Sequence, residues 1–155
     1  MTYTPPSNIS KRDRSKKSVF IAGTIDMGKN IPDWQKEITS FFEQNSWDSF
    51  NPRRADWDAS WLQEFENPQF SQQVRWELNA LEVADIILMY FLPDSVSPIS
   101  LLELGIHIRS KKLYVVCPHG FWRKGNVDIT CDFYDVPLFD TLEEFKTFFK
   151  EYILK

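Results

Sequence analysis

The sequence predicts an α/β protein, with a five-stranded parallel sheet and helices packed on both of its faces. Three observations carry this. Short apolar or β-branched runs alternate with longer segments whose apolar residues recur at helical spacing, the pattern of strands joined by crossover helices. Residues 86–92 are apolar without a break, as in a strand buried on both faces. The strand-like runs end in turn chemistry at Gly23, Asn51-Pro52, Pro93-Asp94 and Pro118-His119-Gly120.

In order, residues 1–17 are polar and Pro-containing, and five of the seven residues 11–17 are Lys or Arg. They read as a disordered basic tail before one domain over 18–155. Residues 18–23, SVFIAG, form the first strand. Gly23 at its end either lets a ligand approach the backbone or makes a plain turn. Gly23 and Gly28 make no GxGxxG, and no phosphate-loop GK[ST] follows. A helix over 32–44 has Pro32 in its first turn and an apolar stripe of Trp34, Ile38, Phe41 and Phe42. Residues 47–50 are the second strand. The loop NPRRADWDASW then sets Arg53, Arg54, Asp56 and Asp58 around Trp57. Such a mixture can stack a planar base and bond its edge, or it can be a surface turn with local ion pairs.

A helix over 67–83 starts at Asn67-Pro68 and shows Phe70, Val74, Leu78 and Leu81 as its apolar face. Glu77 lies next to that face, and its spacing alone favours a solvated acid. Asp85 opens the third strand and reads as a structural acid. After 86–92 and a Ser/Pro loop, SPISLLELG restarts as a helix, with Ser97 as N-cap and Pro98 at the first position. Glu103 sits between Leu102 and Leu104 on a helix that must pack against the sheet, so this carboxylate needs a reason. Residues 113–117 form the fourth strand, and His119 after it reads as incidental. Residues 121–136 read as a mixed connection holding Gly125 and Asn126, and 136–139 as a fifth strand. A closing helix over 141–154 has a capping box, Thr141 with Glu144, and an inner face of Leu142, Phe145, Phe149 and Tyr152. The short loops imply the flavodoxin-like strand order 2-1-3-4-5, with a site at the C-terminal ends of strands one and three.

Composition narrows the function classes. The chain has 155 residues, 43% of them hydrophobic and 15% aromatic, as in a folded domain with a sizeable core. A net charge of −4 gives no general drive toward nucleic acid or membrane. No apolar run approaches the ~18 residues of a membrane span, and no apolar N-terminal segment reads as a signal peptide. Cys117 and Cys131 form no CxxC, so a reducing cytoplasm without a metal site is the simplest expectation.

Taken together, FIAG, NPRRADWD, QVRWELNALEVADII and SPISLLELG resemble the nucleoside 2-deoxyribosyltransferase family, more narrowly its nucleoside 2-deoxyribosyltransferase-like branch, over roughly 18–120. The resemblance implies that Glu103 is a nucleophile. It would attack C1′ of a 2′-deoxynucleoside, expel the base and hold the sugar as an ester until a second base takes it. It places the second acid at Glu77, where many members have Asp, and so reverses the reading from spacing. An Asp that often contacts the sugar hydroxyls six residues before the nucleophile is replaced here by Ser97. A serine there can bond a hydroxyl or, with Ser100, a phosphate at a helix N-terminus. Asn51, Arg54, Asp56 and Trp57 are the base-pocket candidates, and Gly23 stays a substrate-binding candidate through its backbone. Asn126 is the candidate from a neighbouring subunit, because in this family one subunit commonly completes another's site. The resemblance thus implies a homo-oligomer, dimer or higher, acting on 2′-deoxynucleosides and free nucleobases in nucleoside salvage, with no metal or cofactor. Two alternatives stand beside it. One is a 2′-deoxynucleoside 5′-monophosphate N-glycosidase that passes the sugar to water. The other is a non-catalytic nucleotide-binding or signalling module.

Overall fold

A computed structural model of the chain describes residues 1–25 and 33–155. The expected Gly28 turn and Pro32 helix start lie outside those residues. Six strands are described: β1 (Thr2–Tyr3), β2 (Ser18–Gly23), β3 (Asp48–Phe50), β4 (Ile86–Tyr90), β5 (Leu113–Val116) and β6 (Leu138–Phe139). Five helices accompany them: α1 (Trp34–Gln44), α2 (Pro68–Val83), α3 (Pro98–His107), α4 (Lys124–Phe133) and α5 (Leu142–Phe148), which runs on into a π turn at Phe149–Ile153. The sheet order is β1-β3-β2-β4-β5-β6, and β1–β3, β3–β2, β4–β5 and β5–β6 pair in parallel. The architecture is the flavodoxin-like α/β kind, a parallel sheet flanked by helices. Without β1 the order is the expected 2-1-3-4-5.

The sheet has six strands rather than five because the N-terminal segment supplies an edge. Residues 1–17, expected as a disordered tail, pair Thr2 with Ser49 and Tyr3 with Phe50, and add a 3-10 turn at Ile9–Lys11. Apolar and polar anchors replace the solvation that the composition implied. The Tyr3 ring lies 5.8 Å from that of Phe50, and Trp76 Nε1 donates to the Ser7 carbonyl at 2.8 Å. The Arg12 guanidinium lies 5.8 Å over the Phe50 ring.

The chain divides into two compact units, Met1–Ile21 with Asp33–Asp85, and Ala22–Pro32 with Ile86–Lys155. In the first, Phe20, Ile38, Phe42, Phe50 and Leu81 are fully buried, and the expected stripe of α1 is buried throughout. Asp33 caps α1 by accepting from Lys36 N at 3.1 Å. The inner face of α2 differs from the expected one. Gln73, Trp76, Ala80 and Leu81 are buried, while Leu78 is exposed. The helix is turned so that Trp76 meets Phe50 edge-on, with centroids 6.5 Å apart, and this large ring outweighs the smaller aliphatic stripe. Asp85 closes the unit: its carboxylate accepts from the Ser18 amide and hydroxyl, both at 2.9 Å, and from Lys17 Nζ at 3.0 Å.

In the second unit β4 is buried from Ile86 to Met89, as continuous apolar character requires. The connection after β5 is not irregular. Residues 124–133 form α4, with Val127 and Cys131 buried. Lys124 Nζ anchors that helix by donating to the Cys117 carbonyl at 2.7 Å, to Asp140 at 2.9 Å and to Asp128 at 3.2 Å. The capping box of α5 forms as expected, with Glu144 N donating to Thr141 Oγ1 at 3.2 Å and Thr141 N to Glu144 Oε2 at 3.3 Å. Its inner face is Phe145 and Phe149. Tyr152 is exposed, because the π turn rotates it off the helical register.

Candidate active site

Glu103 is set by α3, in the second unit. Ser97 takes a left-handed conformation, φ 45°, and Pro98 then opens the helix. Ser100, Glu103, Leu104 and His107 follow at helical spacing and form the buried face, with Glu103 9% exposed. Ile99, Leu102 and Ile106 fall on the opposite, exposed face. The family reading of Glu103 needs a carboxylate withdrawn from bulk water, and this burial meets that need.

Ser97 is the N-cap by position but makes no capping bond. Its hydroxyl lies instead 2.6 Å from Thr24 Oγ1 and 3.0 Å from Ser95 Oγ. Thr24 Oγ1 also accepts the Leu92 amide at 3.0 Å and lies 3.0 Å from Ser95 Oγ, which donates to the Leu92 carbonyl at 2.7 Å. Three hydroxyls thus fasten the loop between β4 and α3 to the residue that follows β2. The left-handed turn at Ser97 aims its side chain at this cluster and away from the helix amides. Gly23 sits beside it with φ +127°, and a Cβ there would meet the Tyr90 carbonyl oxygen at 2.1 Å. The strand contact is a sufficient reason for that glycine, without a ligand.

The loop after β3 and the helix α2 hold the other candidates, in the first unit. Asn51 is buried, and its Oδ1 accepts the Arg53 amide at 3.0 Å, so its side chain shapes the turn. Arg54 is committed. Its Nε and Nη2 bond the two Asp56 oxygens at 2.7 and 3.2 Å, its Nη1 bonds Gln72 Oε1 at 3.1 Å, and its guanidinium lies 5.0 Å over the Trp61 ring. The Arg54 hydrogen bond holds the Asp56 carboxyl below its ordinary range. Trp57 meets Trp61 edge-on at 5.2 Å. Arg54 and Asp56, expected to face a base, are thus bonded to each other, and the Trp57 and Trp61 rings are half-buried beside them.

Glu77 is half-buried on α2, and Gln73 Nε2 donates to its Oε1 at 2.7 Å. Burial raises its pKa, with the Gln73 bond opposing. A carboxyl of this kind keeps its proton to higher pH than a solvated one, which suits a proton donor. Asn126 is an exposed residue of α4 rather than of a loop. Cys117 and Cys131 are buried free thiols. Burial pushes them up to about 11 and about 12, so neither is a thiolate nucleophile at neutral pH.

Sequence reasoning missed four residues beside these. Thr24 and Trp61 carry no spacing signal. His107 shares the buried face of α3 one turn after Glu103, a signal that the helical period contained. Gln73 precedes Glu77 by one turn, and the misread face of α2 hid it.

The family model described as "Nucleoside 2-deoxyribosyltransferase like" matches residues 16–121. The chain belongs to that family. The match spans Gly23, the β3 loop, Glu77, Ser97, Ser100 and Glu103, and ends before Asn126. No curated protein matches the chain.

Proposed function

We propose that the protein transfers a 2-deoxyribosyl group between nucleobases through a covalent ester on Glu103. The observation that carries this is a buried carboxylate on the inner face of α3, inside the span of the family match. A Glu103 oxygen attacks C1′ of a 2′-deoxynucleoside as the bond from C1′ to the base nitrogen breaks. Glu77 gives its proton to the departing base. A second base then attacks C1′, the C1′–ester bond breaks, and Glu77 recovers a proton from the incoming base. The transition state is oxocarbenium-like, and a sugar without a 2′-hydroxyl reaches it more easily. Burial of Glu103 limits attack by water on the ester.

The substrates proposed are 2′-deoxynucleosides and free nucleobases, in nucleoside salvage. The two unpaired thiols fit a cytoplasmic setting. The working form proposed is a homo-oligomer of two or more copies. Val96, Ile99, Leu102 and Ile106 support this, since each is more than half exposed along α3 and the turn before it.

A second reading, hydrolysis of a 2′-deoxynucleoside 5′-monophosphate, draws support from the hydroxyls of Thr24, Ser95 and Ser97 gathered at the start of α3. Incubation of deoxyinosine with adenine separates the readings. Transfer yields deoxyadenosine and hypoxanthine, and Glu103→Ala lowers that exchange by about a thousandfold or more. Release of base only from the monophosphate, with none passed to adenine, favours the hydrolase. Exchange that persists unchanged in Glu103→Ala removes the mechanism.

A further inference from the structure

Gln73 lies one turn before Glu77 on the inner face of α2 and is 5% exposed. Its Nε2 donates to the Pro52 carbonyl at 2.8 Å and to Glu77 Oε1 at 2.7 Å, which uses both amide hydrogens. Its Oε1 is buried with no hydrogen-bond partner among the described residues. The opposite amide orientation would set Oε1 against the Pro52 carbonyl oxygen, acceptor against acceptor. The orphan oxygen of a buried amide is a cost that an apolar side chain of the same length would avoid. The two N–H bonds are what a glutamine supplies here and an apolar residue does not.

We infer that Gln73 is a positioning residue. It fixes the Glu77 carboxyl in one orientation and ties it to the loop that starts at Pro52 and carries Arg54, Asp56 and Trp57. The inference rests on the reading of Glu77 as the acid of base exchange. With Oε1 accepting from Gln73, the proton of the acid form sits on Oε2, the oxygen left to face a departing base. The carboxyl answers to burial and to the Gln73 bond. The cations of the same loop are engaged elsewhere, Arg54 by Asp56 and Gln72, and Arg53 by Asp33 at 2.9 Å.

The test compares the full chain with Gln73→Met, which keeps side-chain length and removes both N–H bonds. Two quantities are read: titration of Glu77 by carbon-13 NMR of labelled glutamate carboxyls, and the pH profile of deoxyinosine–adenine exchange. The expected result is an upward move of the Glu77 titration and of the alkaline limb of kcat. With it, kcat falls about tenfold or more and KM changes less than about twofold. If Gln73→Met does not fold, Gln73→Glu serves, and the second carboxyl beside Glu77 then moves its titration up further. An unchanged Glu77 titration overturns the inference, and so does a shifted titration with unchanged kcat. Absence of exchange in the wild type would remove the functional reading instead, and the titration would still decide whether Gln73 governs the carboxyl.

Discussion

Single residues show two kinds of constraint. Gly23 is steric. Its φ of +127° and the Tyr90 carbonyl at 2.1 Å from a built Cβ leave no room for a side chain. Gly23→Ala is expected to lower stability by about 2 kcal/mol or more, read from the urea midpoint. Glu77 is electrostatic. Burial raises its folded pKa, so the folded state binds the proton more tightly than the unfolded one. Stability from this group is therefore greatest at low pH and falls as pH rises from the unfolded value through the folded one. Glu77→Gln is expected to flatten that fall and to gain stability at pH 7, measured by thermal melts across pH. The same variant should slow base exchange about a hundredfold, since a proton donor contributes on that order.

At the scale of elements, polar anchors decide where strands and helices begin. Asp85 shows the opposite sign to Glu77. Burial works to raise its pKa, but bonds from Lys17 and Ser18 outweigh it and hold the carboxyl low. Its contribution is present above the unfolded carboxylate range and is lost as pH falls through the lowered folded pKa. Asp85→Ala should cost about 1–3 kcal/mol at pH 7 and weaken the acid dependence of unfolding. The capping box at Thr141 should cost about 1 kcal/mol when Thr141→Ala removes the hydroxyl, read in the same denaturation assay. This box was legible as a four-residue pattern, and so was the Asn67-Pro68 start of α2. The inner face of α2 was not. Trp76 and Gln73 face inward, where the spacing of apolar residues pointed to Phe70, Val74 and Leu78. Burial follows which side chains find partners, and the partners of these two, Phe50 and Pro52, lie more than twenty residues away in the chain.

At the scale of the whole molecule, the exposed stripe of Val96, Ile99, Leu102 and Ile106 bears on assembly. Apolar side chains in a row on a helix are costly in water, and a second copy would bury them. Ile106→Glu places a charge in that row. It is expected to shift the protein to a smaller species in size-exclusion chromatography with light scattering. Unchanged mass would show that the stripe is not the contact between copies.

The sequence by itself determined the alternation of strands and helices, the 2-1-3-4-5 core of the sheet, the helix starts at Asn67, Ser97 and Thr141, and the family. Each rests on local information: hydrophobic period, capping residues, and motifs read within a few turns of chain. Tertiary structure decided the rest. It made an edge strand of residues 2–3, because β3 offers an unpaired edge and Phe50 a surface for Tyr3. It turned the hydroxyl of Ser97 from the helix to Thr24, and bonded Arg54 to Asp56 and Gln72. It also gave Gln73 both of its acceptors at once. These are choices among hydrogen-bond partners. A polar side chain takes the partner that folding brings within 3 Å, and outside the short local motifs sequence spacing does not record which one that is.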